Sequence, residues 1–135
     1  MTTVYLCGGI NGLSDAQCKD WREVAKAIFT PAGIATLDPM RRDYRGKEAE
    51  SVQEIVKGDL DDIRLSDVVL VNASRPSWGT AMEVVYAKKE HRPPAIYAFG
   101  AGDKPSPWLV FHCRRLFATV EEACEFIKTE LYERQ

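Results

Sequence analysis

The chain has 135 residues, 45% hydrophobic and 28% charged, with a formal net charge of −2. That length suits one domain with its own core, and the charge balance lacks the broad basic footprint of a protein that binds a nucleic acid polymer. No apolar stretch approaches the roughly 20 residues that span a membrane and no signal-peptide pattern precedes the first apolar run, so a reducing cytoplasm is the expected location.

Taken in chain order, apolar runs alternate with helical patterns. Thr3 to Cys7 reads as a strand ending at Gly8-Gly9, with Cys7 inside it as a small buried hydrophobe. Ser14 and Gln17 form a capping-box pattern. The helix they open carries Trp21, Val24, Ala25, Ile28 and Phe29 at helical spacing until Pro31 and Gly33 end it. Ile34 to Leu37 is a short second strand closed by Asp38-Pro39. Residues 38 to 50 are polar and charged without periodicity, and a loop that long in a small domain is a candidate lid. Arg41-Arg42 within it, like Arg114-Arg115 later, reads as a solvated basic pair.

Ser51 and Glu54 repeat the capping-box pattern before a helix with Val52, Ile55, Val56, Leu60 and Ile63. Residues 67 to 72 form the third strand, and a helix runs from about Gly79 to Glu90. Ala95 to Phe99 is the fourth strand, and the turn-rich segment Gly100 to Pro107 leads to the apolar Trp108-Leu109-Val110-Phe111. Arg115 to Ala118 is the fifth strand. Thr119 and Glu122 cap a last helix whose apolar face is Val120, Ala123, Cys124, Ile127 and Leu131.

Strict alternation of this kind argues for an α/β fold: one flavodoxin-like, Rossmann-like three-layer domain over 1–135 with a five-stranded parallel sheet. The cysteines Cys7, Cys18, Cys113 and Cys124 show no CxxC spacing, and only two histidines accompany them, so no metal site is expected.

Three elements converge at the carboxyl edge of such a sheet, where ligands bind in open α/β folds. The first is the turn Gly8-Gly9-Ile10-Asn11-Gly12, whose glycines permit close backbone approach and whose N–H groups suit an anion. It lacks both the GxGxxG dinucleotide fingerprint and the Lys-Ser/Thr of a P-loop. The second is Asp59-Leu60-Asp61-Asp62-Ile63, where Leu60 and Ile63 face the core and Asp61 and Asp62 read as a solvated face. The third is Ser77 to Glu83, a strand-to-helix turn. Thr80 to Glu83 has the S/T-x-x-E form of a capping box, which competes with a chemical role for Glu83. Two carboxylates on one pocket suit an oxocarbenium-like transition state, one as nucleophile and one handling protons.

Four segments in order, Val4-Tyr5-Leu6-Cys7-Gly8-Gly9-Ile10, Gly58-Asp59-Leu60, Ser66 to Val71, and Gly79-Thr80-Ala81-Met82-Glu83, make the chain resemble the nucleoside 2-deoxyribosyltransferase family. The resemblance implies retaining cleavage of an N-glycosidic bond without metal or organic cofactor. By it, Glu83 attacks C1′ and forms a glycosyl-enzyme, Asp59 assists proton transfer at the departing base or orients the sugar, and Tyr5 positions Glu83. Gly8, Gly9, Ile10, Asn11, Ser77 and Gly79 would line the substrate site.

The family divides into transferases that exchange bases on deoxynucleosides and N-glycosidases that hydrolyse nucleoside 5′-monophosphates. Transferases carry an aspartate six residues before the nucleophile, where this chain has Ser77. The Pro-Ser-x-Gly turn resembles the monophosphate N-glycosidases, in which that serine holds phosphate. Ser106 resembles a second phosphate-binding serine, borrowed there from the adjacent subunit. The glycine turn departs from theirs, with Gly9 and Asn11 in place of a serine and an arginine. The resemblance thus implies a nucleotide salvage enzyme, acting on a small nucleoside or nucleotide as a homo-oligomer, and tilts toward the hydrolase. A non-catalytic nucleotide-binding module is the remaining alternative. Trp78, Trp108 and the loop around Tyr44 are candidates for the base pocket.

Overall fold

Which face of the sheet a strand residue joins is set by the two-residue period of extended backbone, and that period sorts the side chains here into two cores. In the computed structural model, which describes residues 2–133, Val4 and Leu6 of β1 (Thr3–Cys7) point to one face and Tyr5 and Cys7 to the other. The first face is covered by α1 (Asp15–Phe29) and α5 (Val120–Glu133), with Trp21, Phe29, Ile127 and Leu131 packed on Leu70, Tyr97 and Phe99. The second is covered by α2 (Val52–Leu65) and α3 (Trp78–Lys89), whose Ile63, Val84 and Ala87 meet Val69, Val71, Ile96 and Ala98.

The remaining strands are β2 (Ala35–Leu37), β3 (Val68–Asn72), β4 (Ala95–Phe99) and β5 (Arg115–Phe117). All pairings are parallel, in the order β2-β1-β3-β4-β5. This is the expected doubly wound, flavodoxin-like sheet. The winding order reverses between β1 and β3, and in open sheets of this kind ligands bind in the crevice at the carboxyl ends beside such a reversal. Buried on both sides, β3 and β4 read as continuous apolar runs.

Local signals fared unevenly. Ser14 forms its capping box, accepting from the Gln17 N–H at 3.1 Å while its own N–H donates to Gln17 Oε1 at 2.9 Å. Thr119 accepts from the Glu122 N–H at 3.2 Å. Ser51 precedes α2 but makes no side-chain cap, so the box with Glu54 does not form. The apolar segment after Ser106 is a short helix, α4 (Pro107–His112), which adds a fifth helix to the four expected. Residues 38 to 50 are not structureless: 3-10 turns cover Pro39–Arg41 and Glu48–Glu50. Among the described residues no helix is long and apolar enough to cross a membrane.

Candidate active site

Glu83 owes its position to where α3 begins. The helix starts at Trp78 and is capped by Ser77, whose Oγ accepts from the Thr80 N–H at 3.3 Å. The capping box of Thr80 with Glu83 therefore does not exist. Thr80 lies inside the first turn, and Glu83 comes one turn later, on the side facing β1. There Tyr5 Oη donates to Glu83 Oε2 at 2.5 Å. Cys7 Sγ lies 3.7 Å from the same oxygen. The other oxygen, Oε1, is 3.6 Å from where a side chain on Gly79 would begin. Glycine at 79 thus leaves the approach to that oxygen open.

Burial dominates the electrostatics. Desolvation, reinforced by the nearby Asp59 charge and opposed by the Tyr5 and Cys7 hydrogen bonds, raises the Glu83 pKa to about 7. Burial also raises Asp59, against the pull of Arg42. Tyr5 and Cys7 are pushed well up by burial and by the Glu83 charge, so both stay protonated donors at neutral pH.

Above the pair lies a cavity of about 170 Å³. Its floor is Asp59, Ser77, Gly79, Thr80 and Glu83; one wall is Gly8, Ile10 and Asn11. The opposite wall comes from the 38–50 segment, including Met40, Arg42, Tyr44 and Arg45. Thr80 Oγ1 is buried there with no hydrogen-bond partner among the described residues.

Seven of the residues expected at the site line this cavity: Glu83, Asp59, Gly8, Ile10, Asn11, Ser77 and Gly79. Tyr5 lies behind it, reaching it through Glu83. Two do not line it. Gly9 faces a separate depression with Leu13 and Trp21. Ser106 caps α4, accepting from the Trp108 N–H at 3.2 Å, and opens onto a neighbouring groove. Gly8 itself is required for packing, since a Cβ would stand 2.7 Å from the Trp21 ring. Tyr44 lines the cavity as expected, whereas Trp78 (84% exposed) and Trp108 (76% exposed) do not.

Three charged residues that read as solvated from sequence are ion-paired in the structure, and a fourth is buried. Asp62 is 3% exposed rather than solvated, gripped by both Arg41 guanidinium nitrogens at 2.7 and 3.0 Å and by Arg42 at 2.8 Å. Arg41 stays exposed and Arg42 is half-buried, but both are ion-paired rather than free; Asp61 does face solvent, with Lys57 and Arg64. Arg22 went unread altogether. Fully buried, it donates to the carbonyls of Leu6, Gly8 and Cys18 and pairs with Asp38 at 3.6 Å, tying down the glycine turn. A charged residue inside the apolar stripe of α1 was its one visible signal. Among the described residues, no group of three or more His, Cys, Asp or Glu side chains is arranged to hold a metal ion.

Comparison with known proteins decides the family. The model of the nucleoside 2-deoxyribosyltransferase family matches residues 4–108. The chain belongs to this family. Its members are enzymes acting on nucleosides or nucleotides, and they include deoxyribosyltransferases and nucleotide N-glycosidases.

Solved structures share the deoxyribosyltransferase fold. A conserved protein of Enterococcus faecalis superposes with a TM-score of 0.73 at 17% identity, over 96% of this chain and 99% of that one. The 2-deoxyribosyltransferase of Bacillus psychrosaccharolyticus gives 0.68 at 16% identity, covering 90% of each chain. The CMP N-glycosidase of Clostridium botulinum gives 0.60 at 18%, over 97% and 99%. No curated protein sequence matches significantly.

Proposed function

We propose that this family member cleaves the N-glycosidic bond of a nucleoside 5′-monophosphate, ribo or 2′-deoxy, through a covalent glycosyl-enzyme on Glu83, and releases the free base. The observation that carries the reading is the buried Tyr5 donor on Glu83 Oε2, which leaves Oε1 beside Gly79 at the cavity floor. Attack of that oxygen on C1′ breaks the bond to the base, whose nitrogen takes up a proton with Asp59 assisting. Water then attacks C1′, the glycosyl ester breaks, and the Glu83 carboxylate is regenerated. A pKa near 7 lets Glu83 be an anion for a large share of the molecules at neutral pH.

The monophosphate is favoured by Ser77 at the head of α3. A helix N-terminus offers unpaired N–H groups and a positive dipole end, both suited to phosphate. The alternative is base exchange on a deoxynucleoside. It is favoured by Gly9 and Ser106 falling outside the cavity of a single chain.

A homo-oligomer would bring Ser106 back into account. Trp78, Met82 and Tyr86 on α3 and Trp108 and Phe111 on α4 are exposed, and Trp108 lines the groove with Ser106. Apolar surface of that kind marks an interaction face, and the proposed partner is a second copy that presents Ser106 to the phosphate.

The test is free-base release from a panel of nucleoside 5′-monophosphates and nucleosides, with and without an added second base. Release from monophosphates, indifferent to added base and abolished by Glu83→Gln, is expected. Turnover of nucleosides alone, with exchange into the added base, would establish the transferase instead. Ligand binding without turnover would establish the binding module.

A further inference from the structure

We infer that Arg42 is a positioning residue: its guanidinium bridges Asp59 to the anchored Asp62 and so holds the Asp59 carboxylate in place at the cavity floor. Arg42 Nη2 donates to Asp59 Oδ1 at 3.2 Å and to Asp62 Oδ2 at 2.8 Å. Asp62 is itself immobilised by the Arg41 fork, and Arg41 also donates to the Asp38 carbonyl at 2.8 Å, at the end of β2. Asp59 is thereby tied, through two arginines and a buried aspartate, to the edge of the sheet.

Gly58 supplies an independent observation. It sits inside α2, where glycine is the poorest residue after proline, and it is not among the glycines with positive φ. Its backbone does not need glycine. A Cβ there would stand 2.8 Å from Arg42 Nε and 3.1 Å from Cζ. The missing side chain is the slot through which the guanidinium reaches Asp59.

The charges around Asp59 make the clamp consequential. Asp62 on its own helix and Glu83 on α3 oppose its ionisation, and Arg42 from the 38–50 segment and the more distant Arg22 of α1 favour it. Tyr5 and Cys7 of β1 also sense its charge. Without Arg42, Asp59 would lose the cation that most favours its ionisation, and its proton would be held to higher pH.

The inference rests on Asp59 as the carboxylate that handles the proton, and the experiment separates the two. Arg42→Gln and Gly58→Ala are compared with wild type in the carbon-13 NMR titration of the Asp59 carboxyl, which needs no substrate. Both variants should move that titration to higher pH. Gly58→Ala should do so with a melting temperature equal to or above wild type, because alanine suits the helix and the obstructed guanidinium can swing away. In base release from the best substrate of the panel, kcat should fall about 10- to 100-fold with KM within about threefold. The double variant Asp59→Asn/Arg42→Gln should be no slower than Asp59→Asn. An unmoved Asp59 titration in both variants overturns the inference. So does a double variant slower than Asp59→Asn by the full Arg42 factor, which would make Arg42 a direct substrate contact. A wild-type rate in Asp59→Asn removes Asp59 from the chemistry, a result that no behaviour of Arg42 can imitate.

Discussion

Glu83 is a carboxylate placed where its charge is disfavoured, and that placement has a consequence for stability as well as for chemistry. Its folded pKa of about 7 stands above the unfolded value of 4.5. Between those values the folded state binds more protons than the unfolded one, so this group's contribution falls as pH rises. It is fully present below about pH 4.5 and lost above about pH 7. A glutamine side chain in its place has no charge to desolvate and can still accept from Tyr5. Glu83→Gln should therefore melt higher than wild type at pH 8, with the difference shrinking toward pH 4 in calorimetry. A difference that is flat across that range, or that grows toward acid, would contradict the assigned burial. The same substitution removes the proposed nucleophile, so a more stable but inactive protein is the expected combination.

At the scale of elements, the start of α3 bears on stability and, by the proposed function, on specificity. Ser77 caps the helix, and loss of such a cap costs about 1 kcal/mol. Ser77→Ala should lower the melting temperature and raise KM for monophosphates. Ser77→Asp keeps a capping oxygen but sets a negative charge where phosphate is proposed to lie. It should restore the melting temperature while depressing monophosphate use further, relative to nucleosides. Equal effects on both substrate types would remove Ser77 from phosphate recognition. The sequence made this turn visible but misplaced its cap, because Thr80 and Glu83 have the right spacing for one and only the observed bond to Ser77 separates the choices. The sheet strands and the apolar faces of α1 and α5 were legible because burial on a regular element leaves a period. Glu83, Asp59 and Tyr5 were legible through an ordered set of motifs. Asp62 and Arg42 were not: their burial depends on a pairing across 20 residues of chain, from a segment without periodicity. Arg22 was hidden for a related reason, since the carbonyls that satisfy it come from β1 and its own helix.

For the whole molecule, the reversal of strand order between β1 and β3 gathers the site from the first two-thirds of the chain, Gly8 to Glu83. The last third closes the sheet and carries α4, which packs on α3 and exposes Trp108 and Phe111. If that face joins two copies, Tyr86→Arg with Phe111→Glu should convert the assembly to monomer in sedimentation analysis and raise KM for monophosphates. A wild type that is already monomeric at micromolar concentration would dismiss the interface. The layered construction has one more effect, at Cys7. Its thiol is completely buried between the sheet and the α2–α3 layer, directly beneath Glu83, and is kept protonated there. A thiol reagent needs both access and a thiolate, and the closed protein grants neither. Alkylation of Cys7 therefore acts as a clock for separation of the layers, counting the openings that expose the underside of Glu83 rather than any chemistry at the surface.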